Sequence, residues 1–186
     1  QLLRSRGFRA AKVDAAFTSE LQRAHETCEL ALASMAGHRQ NTWSSDRIRR
    51  DARLNERHYG AVQGFYKNDM ELRAKFGDDT IREWRRSMDA KPPPISEDHP
   101  EWQPPPAPAT ESLADCQQRV LECFNDRIAP ALFEEAIELP PEAREGEPEP
   151  EGSDPSAGDR TVVVVAHANT IRSLMAAFDR VPDGDV

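Results

Sequence analysis

The run Thr161–Ala166, TVVVVA, constrains this chain more than any other segment. Four consecutive valines cannot alternate between a wet and a dry face, so a strand made from them is buried on both sides, as in a parallel sheet covered by helices. The run ends at His167, and directly after it Asn169 or Thr170 is placed to cap a helix whose Ile171, Leu174, Met175 and Phe178 follow the i, i+3, i+4, i+7 rule. Strand, turn and helix in that order are the building unit of an α/β fold. In such sheets ligands bind beyond the carboxyl ends of the strands, where helix N-termini present N–H groups and partial positive charge. His167 and Asn169 fall there, although a core or capping histidine fits the local pattern equally.

Elsewhere the periodicity is mainly helical. Val13–Phe17 reads as a short strand, and Ser19 with Gln22 has the capping-box spacing that opens a helix through Leu21, Ala24, Cys28, Leu32 and Met35. Asp78 or Asp79 can cap a helix bearing Ile81, Trp84 and Met88. The longest helical signal spans Glu111–Ile137, with Leu113, Val120, Phe124 and Ile128 on one stripe and Pro130 as a kink or break. Between these lie a segment 92–108 with eight prolines and a Pro/Gly/acidic segment 140–159, both read as loop excursions from one domain spanning 1–186.

The chain has 186 residues, enough for a core without staples, and no apolar run approaches a membrane span. No secretion signal is visible near Gln1, where Arg4 and Arg6 arrive early, so a reducing, cytoplasmic setting is expected; an organellar transit peptide would lie outside this sequence. Cys116 and Cys123, seven apart on one helix, read as small core residues, and with no zinc-type spacing no metal is expected. Net charge is −9, but residues 138–154 hold seven acids against Arg144 alone, which leaves only −3 for an arginine-rich remainder. That balance argues against nonspecific nucleic-acid binding and leaves small anions as ligands.

Arg23 stands in the first turn of the helix opened by Ser19. A cation near a helix N-terminus is unfavourable by about 0.3 to 1 kcal/mol unless an anion lies there too; a solvated surface arginine is the plainer alternative. His25 and Glu26 beside it read as solvated helix residues. A third element is Arg53-Leu54-Asn55-Glu56-Arg57-His58-Tyr59-Gly60-Ala61-Val62-Gln63-Gly64, with Lys67 close behind. The run LNERHYGAVQG resembles the signature of the 2,3-bisphosphoglycerate-dependent phosphoglycerate mutases of the histidine phosphatase superfamily. FTSELQRAHET, WRRSMDAKPPP, ESLADCQQRV and VVVVAHANTIRSLM resemble further segments of that family, in family order, and together they cover nearly the whole chain outside the two loops.

The resemblance implies a three-layer α/β/α sheet with helices on both faces. It implies a glycolytic enzyme that interconverts 3-phosphoglycerate and 2-phosphoglycerate through a phosphohistidine, primed by 2,3-bisphosphoglycerate, without a metal and as a homo-oligomer. Its ligands would be small phosphorylated three-carbon acids. By the same likeness, Arg23 holds the transferring phosphoryl group, His167 stabilises its charge and Asn169 shapes the pocket. Glu56 exchanges a proton with the substrate hydroxyl; Arg57, Tyr59 and Lys67 contact the substrate's phosphate and carboxylate, and Arg85 and Arg86 clamp its far end. Guanidinium groups suit that work, because phosphoryl transfer rests chiefly on positioning and on neutralising charge.

The chain departs from the family pattern in three ways. No Arg-His-Gly motif occurs, so the nucleophile and the central first strand that carries it are expected to be missing, with both ends cut. Ala168 stands where the family has glycine, which matters if the backbone there needs a positive φ. The acidic segment is longer than the family's tight connection, at small entropic cost. These 186 residues alone are therefore expected to be inactive and poorly stable. A phosphatase of the same superfamily, or a non-catalytic anion-binding or scaffold relative, are the alternatives.

Overall fold

The computed structural model describes residues 13–36, 47–66, 69–133 and 160–179. The chain gathers into two compact units, Gln1–Asp51 with Cys123–Val165 and Ala52–Glu122 with Ala166–Val186. Lys67, the helical stretch expected beyond Phe133 and the segment 140–159 lie outside the described residues. In chain order the elements are β1 (Ala15–Thr18), α1 (Gln22–Ala36), β2 (Ile48–Arg50), α2 (Met70–Phe76), α3 (Asp78–Arg86), α4 (Leu113–Cys123), α5 (Ala129–Phe133), β3 (Val162–Val165) and α6 (Ala168–Asp179).

The first unit is a small parallel sheet with a helix on it, which makes the chain α/β. The order across the sheet is β2-β1-β3, with Ala16 opposite both Ile48 and Val163. Parallel neighbours need a crossover, and α1 supplies it between β1 and β2. The small side chain of Ala16, on the face that α1 covers, lets the helix approach closely. Cys28, Leu32 and Met35 of α1 pack with Val13, Ala16 and Ile48, and Val163 and Val165 of β3 complete the cluster. Strand β2 is not anticipated by the sequence, because Ile-Arg-Arg has one apolar residue; it forms because β1 offers an edge to pair with.

Three expectations about this unit are corrected. The valines of β3 are half-buried rather than buried on both faces, since β3 has a paired neighbour only on the β1 side among the described residues. Ser19 does not form a reciprocal box with Gln22: its Oγ accepts from Leu21 N at 3.2 Å, while the Gln22 amide donates to Glu26 at 2.6 Å. His25 is buried and paired with Glu29 at 3.3 Å, not solvated. The kink expected at Pro130 takes the form of a π-helical turn, Phe124–Ile128, ahead of it. Proline has no N–H to give, and in the widened turn Ala129 N reaches Phe124 O instead.

In the second unit Asp69 caps α2, its carboxylate accepting from Glu71 N and Leu72 N at 2.9 and 3.1 Å. Gly77, not Asp78 or Asp79, stands at the start of α3, and Met88 lies past its end. The reciprocal capping box belongs to α4: Ser112 N donates to Asp115 Oδ2 at 2.8 Å and Asp115 N to Ser112 Oγ at 3.0 Å. Leu113, Cys116, Val120 and Cys123 are then wholly buried. Helix α6 turns a different face inward from the one its apolar stripe suggests. Thr170, Ser173 and Ala176 are buried, whereas Met175 and Phe178 are 56% and 54% exposed. Polar anchoring sets that rotation: Thr170 Oγ1 donates to Asn55 O at 2.9 Å and Gln117 Nε2 to Ser173 O at 3.1 Å.

The proline segment is part of this core rather than an excursion from it. Pro92 and Ile95 are buried, Ile95 N donates to Ala109 O at 2.9 Å, and Thr110 Oγ1 donates to Pro92 O at 2.8 Å. Pro93 O accepts from Ala61 N at 2.8 Å, which brings the proline backbone hard against Gly60. Gly60 has φ +57°, and a Cβ there would sit 2.1 Å from Pro93 O. Both the conformation and the space demand glycine.

Beside it lies a partly buried ion pair, Glu111 buried and Arg119 half-buried. Arg119 Nε and Nη2 donate to Glu111 Oε1 and Oε2 at 2.6 and 2.9 Å. Nη1 donates to Arg53 O and Asn55 O at 2.7 and 2.9 Å, and Nη2 also reaches Glu56 O at 3.3 Å. Glu111 Oε2 further accepts from His58 N at 2.8 Å, so the pair fixes the loop 53–58 from both ends. Burial works to lower the Arg119 pKa, but the hydrogen bonds and charge of Glu111 outweigh it and hold the value above the ordinary one.

Three stability measurements follow, all read as shifts in the urea midpoint. Gly60→Ala is expected to cost more than the roughly 1 kcal/mol of the φ term alone, since a carbonyl must move as well. Glu111→Gln should cost about 3 to 5 kcal/mol by leaving the Arg119 charge without its partner. Arg119→Lys should cost about 2 kcal/mol, because three ammonium hydrogens cannot replace five guanidinium ones. An Arg119→Lys variant as stable as its parent would remove this pair from the role assigned to it.

Candidate active site

Glu56 leaves a backbone whose neighbouring carbonyls, those of Arg53 and Asn55, are held with its own by one guanidinium. Its Oε1 accepts from Arg57 N at 2.8 Å and from Asn169 Nδ2 at 3.1 Å. Oε2 has no hydrogen-bond partner among the described residues. Asn169 Nδ2 also donates to the Tyr59 hydroxyl at 2.8 Å, so both hydrogens of that amide are engaged. Tyr59 therefore accepts from Asn169 and keeps its own hydroxyl hydrogen to give. Glu56 and Tyr59, three positions apart, thus meet Asn169, more than a hundred positions on, in one polar cluster with a carboxylate oxygen and a phenol hydrogen to offer.

Asn169 is brought there by the first turn of α6, the same turn that anchors Thr170 on Asn55. Neither residue caps the helix; His167 immediately precedes it, and His167 O accepts the bond from Ile171 N at 2.9 Å. His167 is buried. Ala168 is the first residue of the helix, where φ is negative, so the family's glycine is not required by the backbone.

Arg57 sits apart from the chemistry that the resemblance implies for it. It is 1% exposed, with Nε on Glu111 O at 3.0 Å and Nη2 on Ala90 O at 3.2 Å, while Nη1 is buried with no acceptor. Its guanidinium lies 5.2 Å from the centre of the Tyr59 ring. Burial pulls its pKa down, and the phenol of Tyr59 and the charge of Glu111 oppose that. His58 is also pulled below its ordinary value, first by burial, and its Nδ1 accepts from Gly60 N at 3.1 Å. A neutral imidazole that serves the turn is the consequence.

A cleft of about 170 Å³ adjoins the cluster through Tyr59. Val62 and Phe65 line it from the loop, Leu72 from α2, and Ile81, Trp84 and Arg85 from α3. Those three lie at i, i+3 and i+4, on one helix face. Arg85 makes no hydrogen bond or ion pair with any described residue. Arg86 is exposed and is not among the residues lining this cleft. Arg23 is exposed on α1, in the other unit. The second unit therefore brings together Glu56, Tyr59 and Asn169, with Arg85 on the wall of the adjoining cleft.

Sequence reasoning assigned no role to Glu111 or Arg119 and read Thr170 only as a candidate cap. A signal was present in α4: Arg119 falls three residues after Cys116 and four before Cys123, so a cation sits on the buried face of an amphipathic helix. Such a charge needs a buried partner. The cysteines themselves are inert core residues, as their spacing suggests: all three are free and buried, and burial pushes the Cys28 thiol up to about 11 and raises that of Cys116.

Residues 2–135 match the family described as the histidine phosphatase superfamily (branch 1). The 2,3-bisphosphoglycerate-dependent phosphoglycerate mutase of Thermobifida fusca (strain YX) is 36% identical over 183 residues, covering 93% of this chain and 61% of that protein. The enzyme of the same name from Novosphingobium aromaticivorans is 38% identical over 178 residues, covering 92% of this chain and 64% of its own. The chain thus spans less than two thirds of the length of these relatives. Among solved structures, a mycobacterial glucosyl-3-phosphoglycerate phosphatase superposes with a TM-score of 0.53 at 24% identity, over 100% of this chain and 70% of that one. A parallel α/β sheet and a family match over most of its length lead to one conclusion: this chain belongs to the histidine phosphatase superfamily, branch 1.

Proposed function

We propose that this chain is part of a phosphoglycerate mutase, interconverting 3-phosphoglycerate and 2-phosphoglycerate with 2,3-bisphosphoglycerate as primer, and that it does not catalyse the reaction without the nucleophile segment. The observation that carries the reading is the divided Glu56 carboxylate. One oxygen is tethered by Asn169 and the Arg57 amide, which fixes its direction, and the other is available to a substrate hydroxyl. A general base needs such a fixed, reachable lone pair. Glu56 Oε2 would take the hydroxyl proton as that oxygen attacks phosphorus and return it in the reverse step. The mutase names of the relatives at 36% and 38% identity support the same reaction.

In this reading Tyr59 donates its hydroxyl hydrogen to a substrate oxygen, and Arg85 and Lys67 retain the far, anionic end, with Arg86 adding charge nearby. His167 and Arg23 neutralise the moving phosphoryl group. Arg57 acts through position, holding the Tyr59 ring and the loop, because its donors face backbone carbonyls. The phosphohistidine nucleophile would come from an Arg-His-Gly segment, which these 186 residues do not contain. A phosphatase of the same superfamily is the second reading, favoured by the apolar walls of the cleft, which offer little to a three-carbon acid.

The two separate kinetically in a chain joined to an Arg-His-Gly strand, by following isomerisation and phosphate release together. Isomerisation should outrun release, and release without isomerisation would reject the mutase in favour of the phosphatase. Glu56→Gln should lower kcat by about 10² to 10⁴ in either case, at little cost in stability. Without the added strand, no phosphohistidine should form on the chain, and ³¹P NMR after incubation with 2,3-bisphosphoglycerate checks that.

A further inference from the structure

The turn that presents Tyr59 is closed by a histidine ring. The backbone of His58 is tied to Glu111 in both directions: His58 N donates to Glu111 Oε2 at 2.8 Å, and Glu111 N donates to His58 O at 3.0 Å. The side chain then turns forward, and Nδ1 accepts from Gly60 N at 3.1 Å. Gly60 is buried with φ +57°, so its amide lies away from water and needs an acceptor. Tyr59 stands between the two, its N–H on Gln63 Oε1 at 3.0 Å and its hydroxyl accepting from Asn169 Nδ2 at 2.8 Å. A backbone change at Gly60 is therefore carried along the Tyr59 side chain to that hydroxyl.

An imidazole accepts at Nδ1 only when that nitrogen carries no hydrogen, so the bond requires the neutral ring with its hydrogen on Nε2. A protonated ring would set one N–H against another. Two titratable groups act on it: the Glu111 carboxylate, just ahead of α4, favours the proton, and His99, in the proline segment, opposes it. Burial is the largest influence and opposes the proton as well. The carboxylate is already engaged by Arg119 at 2.6 and 2.9 Å, and Arg57, the preceding residue, holds a second cation over the Tyr59 ring.

We propose that His58 is a positioning residue for Tyr59 that works only as a neutral imidazole: proton uptake at Nδ1 breaks the bond from Gly60, opens the turn and frees the Tyr59 hydroxyl from Asn169. The proton comes from solvent, and both ring nitrogens then carry hydrogen. With the ring held below its ordinary value, the turn is closed at and above about pH 6.5, and closure is lost as the pH falls through the lower value. The latch itself needs no substrate; only its consequence for turnover rests on the phosphoryl-transfer reading.

Heteronuclear NMR on the 186-residue chain, from about pH 8 to about pH 5, reads the latch directly. The protection factor of the Gly60 amide should fall about tenfold as the His58 ring titrates, the loss of one hydrogen bond. Ile95 N, bonded to Ala109 O in the same unit, should keep its protection. The Tyr59 ring signals should shift with the His58 midpoint, and those of Tyr66, 85% exposed, should not. His58→Asn puts a carboxamide oxygen in reach of the amide two residues on, as the Asp69 carboxylate reaches Glu71 N at 2.9 Å. That group does not titrate, so the variant should hold Gly60 and Tyr59 throughout the range. His58→Phe, a ring without an acceptor, should show the low-pH Tyr59 signals at every pH.

Gly60 protection unchanged through the His58 titration would overturn the proposal, as would Tyr59 signals that ignore it or a pH dependence that survives in His58→Asn. In the chain joined to an Arg-His-Gly strand, the latch should appear as an acid limb in kcat/KM that moves to lower pH in His58→Asn. Failure of the mutase reading looks different. In that case the joined chain would not isomerise phosphoglycerate, while the coupled titration of His58, Gly60 and Tyr59 persisted.

Discussion

The second unit depends on one guanidinium having all of its hydrogens answered. Arg119 has five N–H donors, and five acceptors meet them: both oxygens of Glu111 and the carbonyls of Arg53, Asn55 and Glu56. A loop with little regular secondary structure has many backbone carbonyls to satisfy, and a lone helix dipole or a lysine could not reach three of them at once. The cation in turn needs an anion, since burying it alone would cost several kcal/mol. Glu111 provides that and then reaches back to His58 N with the same carboxylate. The segment that carries Glu56 is therefore rigid for an electrostatic reason.

Three arginines of this unit illustrate how burial decides what a cation can do. Arg119 is half-buried and saturated, and it organises. Arg57 is buried more deeply still, with two donors on carbonyls and one group left unanswered, and burial lowers its pKa where the carboxylate partner raises that of Arg119. Arg85 keeps contact with solvent and has no partner among the described residues, so it alone retains its charge for something outside the fold. All three were equal as letters in a basic composition. Their partners, set by the positions of Glu111 and of two backbone carbonyls, separate them.

Much of the fold was legible because its signals are local. The valine run and the stripe of α4 with Leu113 and Val120 depend on neighbours within a few residues, and each formed close to where the sequence placed it. What misled was rotation and partnership. The stripe of α6 points Met175 and Phe178 outward because Thr170 and Ser173 have acceptors in Asn55 and donors in Gln117, more than fifty residues away. The prolines after Lys91 read as an excursion because a proline-rich run lacks periodicity, yet their carbonyls needed donors and found Ala61 and Thr110. The site was legible only as a set of residue types: nothing near Glu56 in sequence foretells that Asn169 will hold one of its oxygens.

Tyr59 is the hinge between the two halves of the candidate site. Its hydroxyl belongs to the cluster with Asn169 and Glu56, and its ring belongs to the cleft with Ile81 and Trp84, backed by Arg57. An amphipathic side chain in that place joins the polar cluster to the cleft, its hydroxyl on one side and its ring on the other. The rigid half sets where a proton can go, and it is built from a saturated network that admits little variation. The cleft half is built from side chains of α2, α3 and the loop, whose exchange alters volume and polarity without touching the Arg119 network. In the proposed reading the chemistry would follow from Glu56 and the residues that fix it, and the fit of a substrate from the residues that line the cleft.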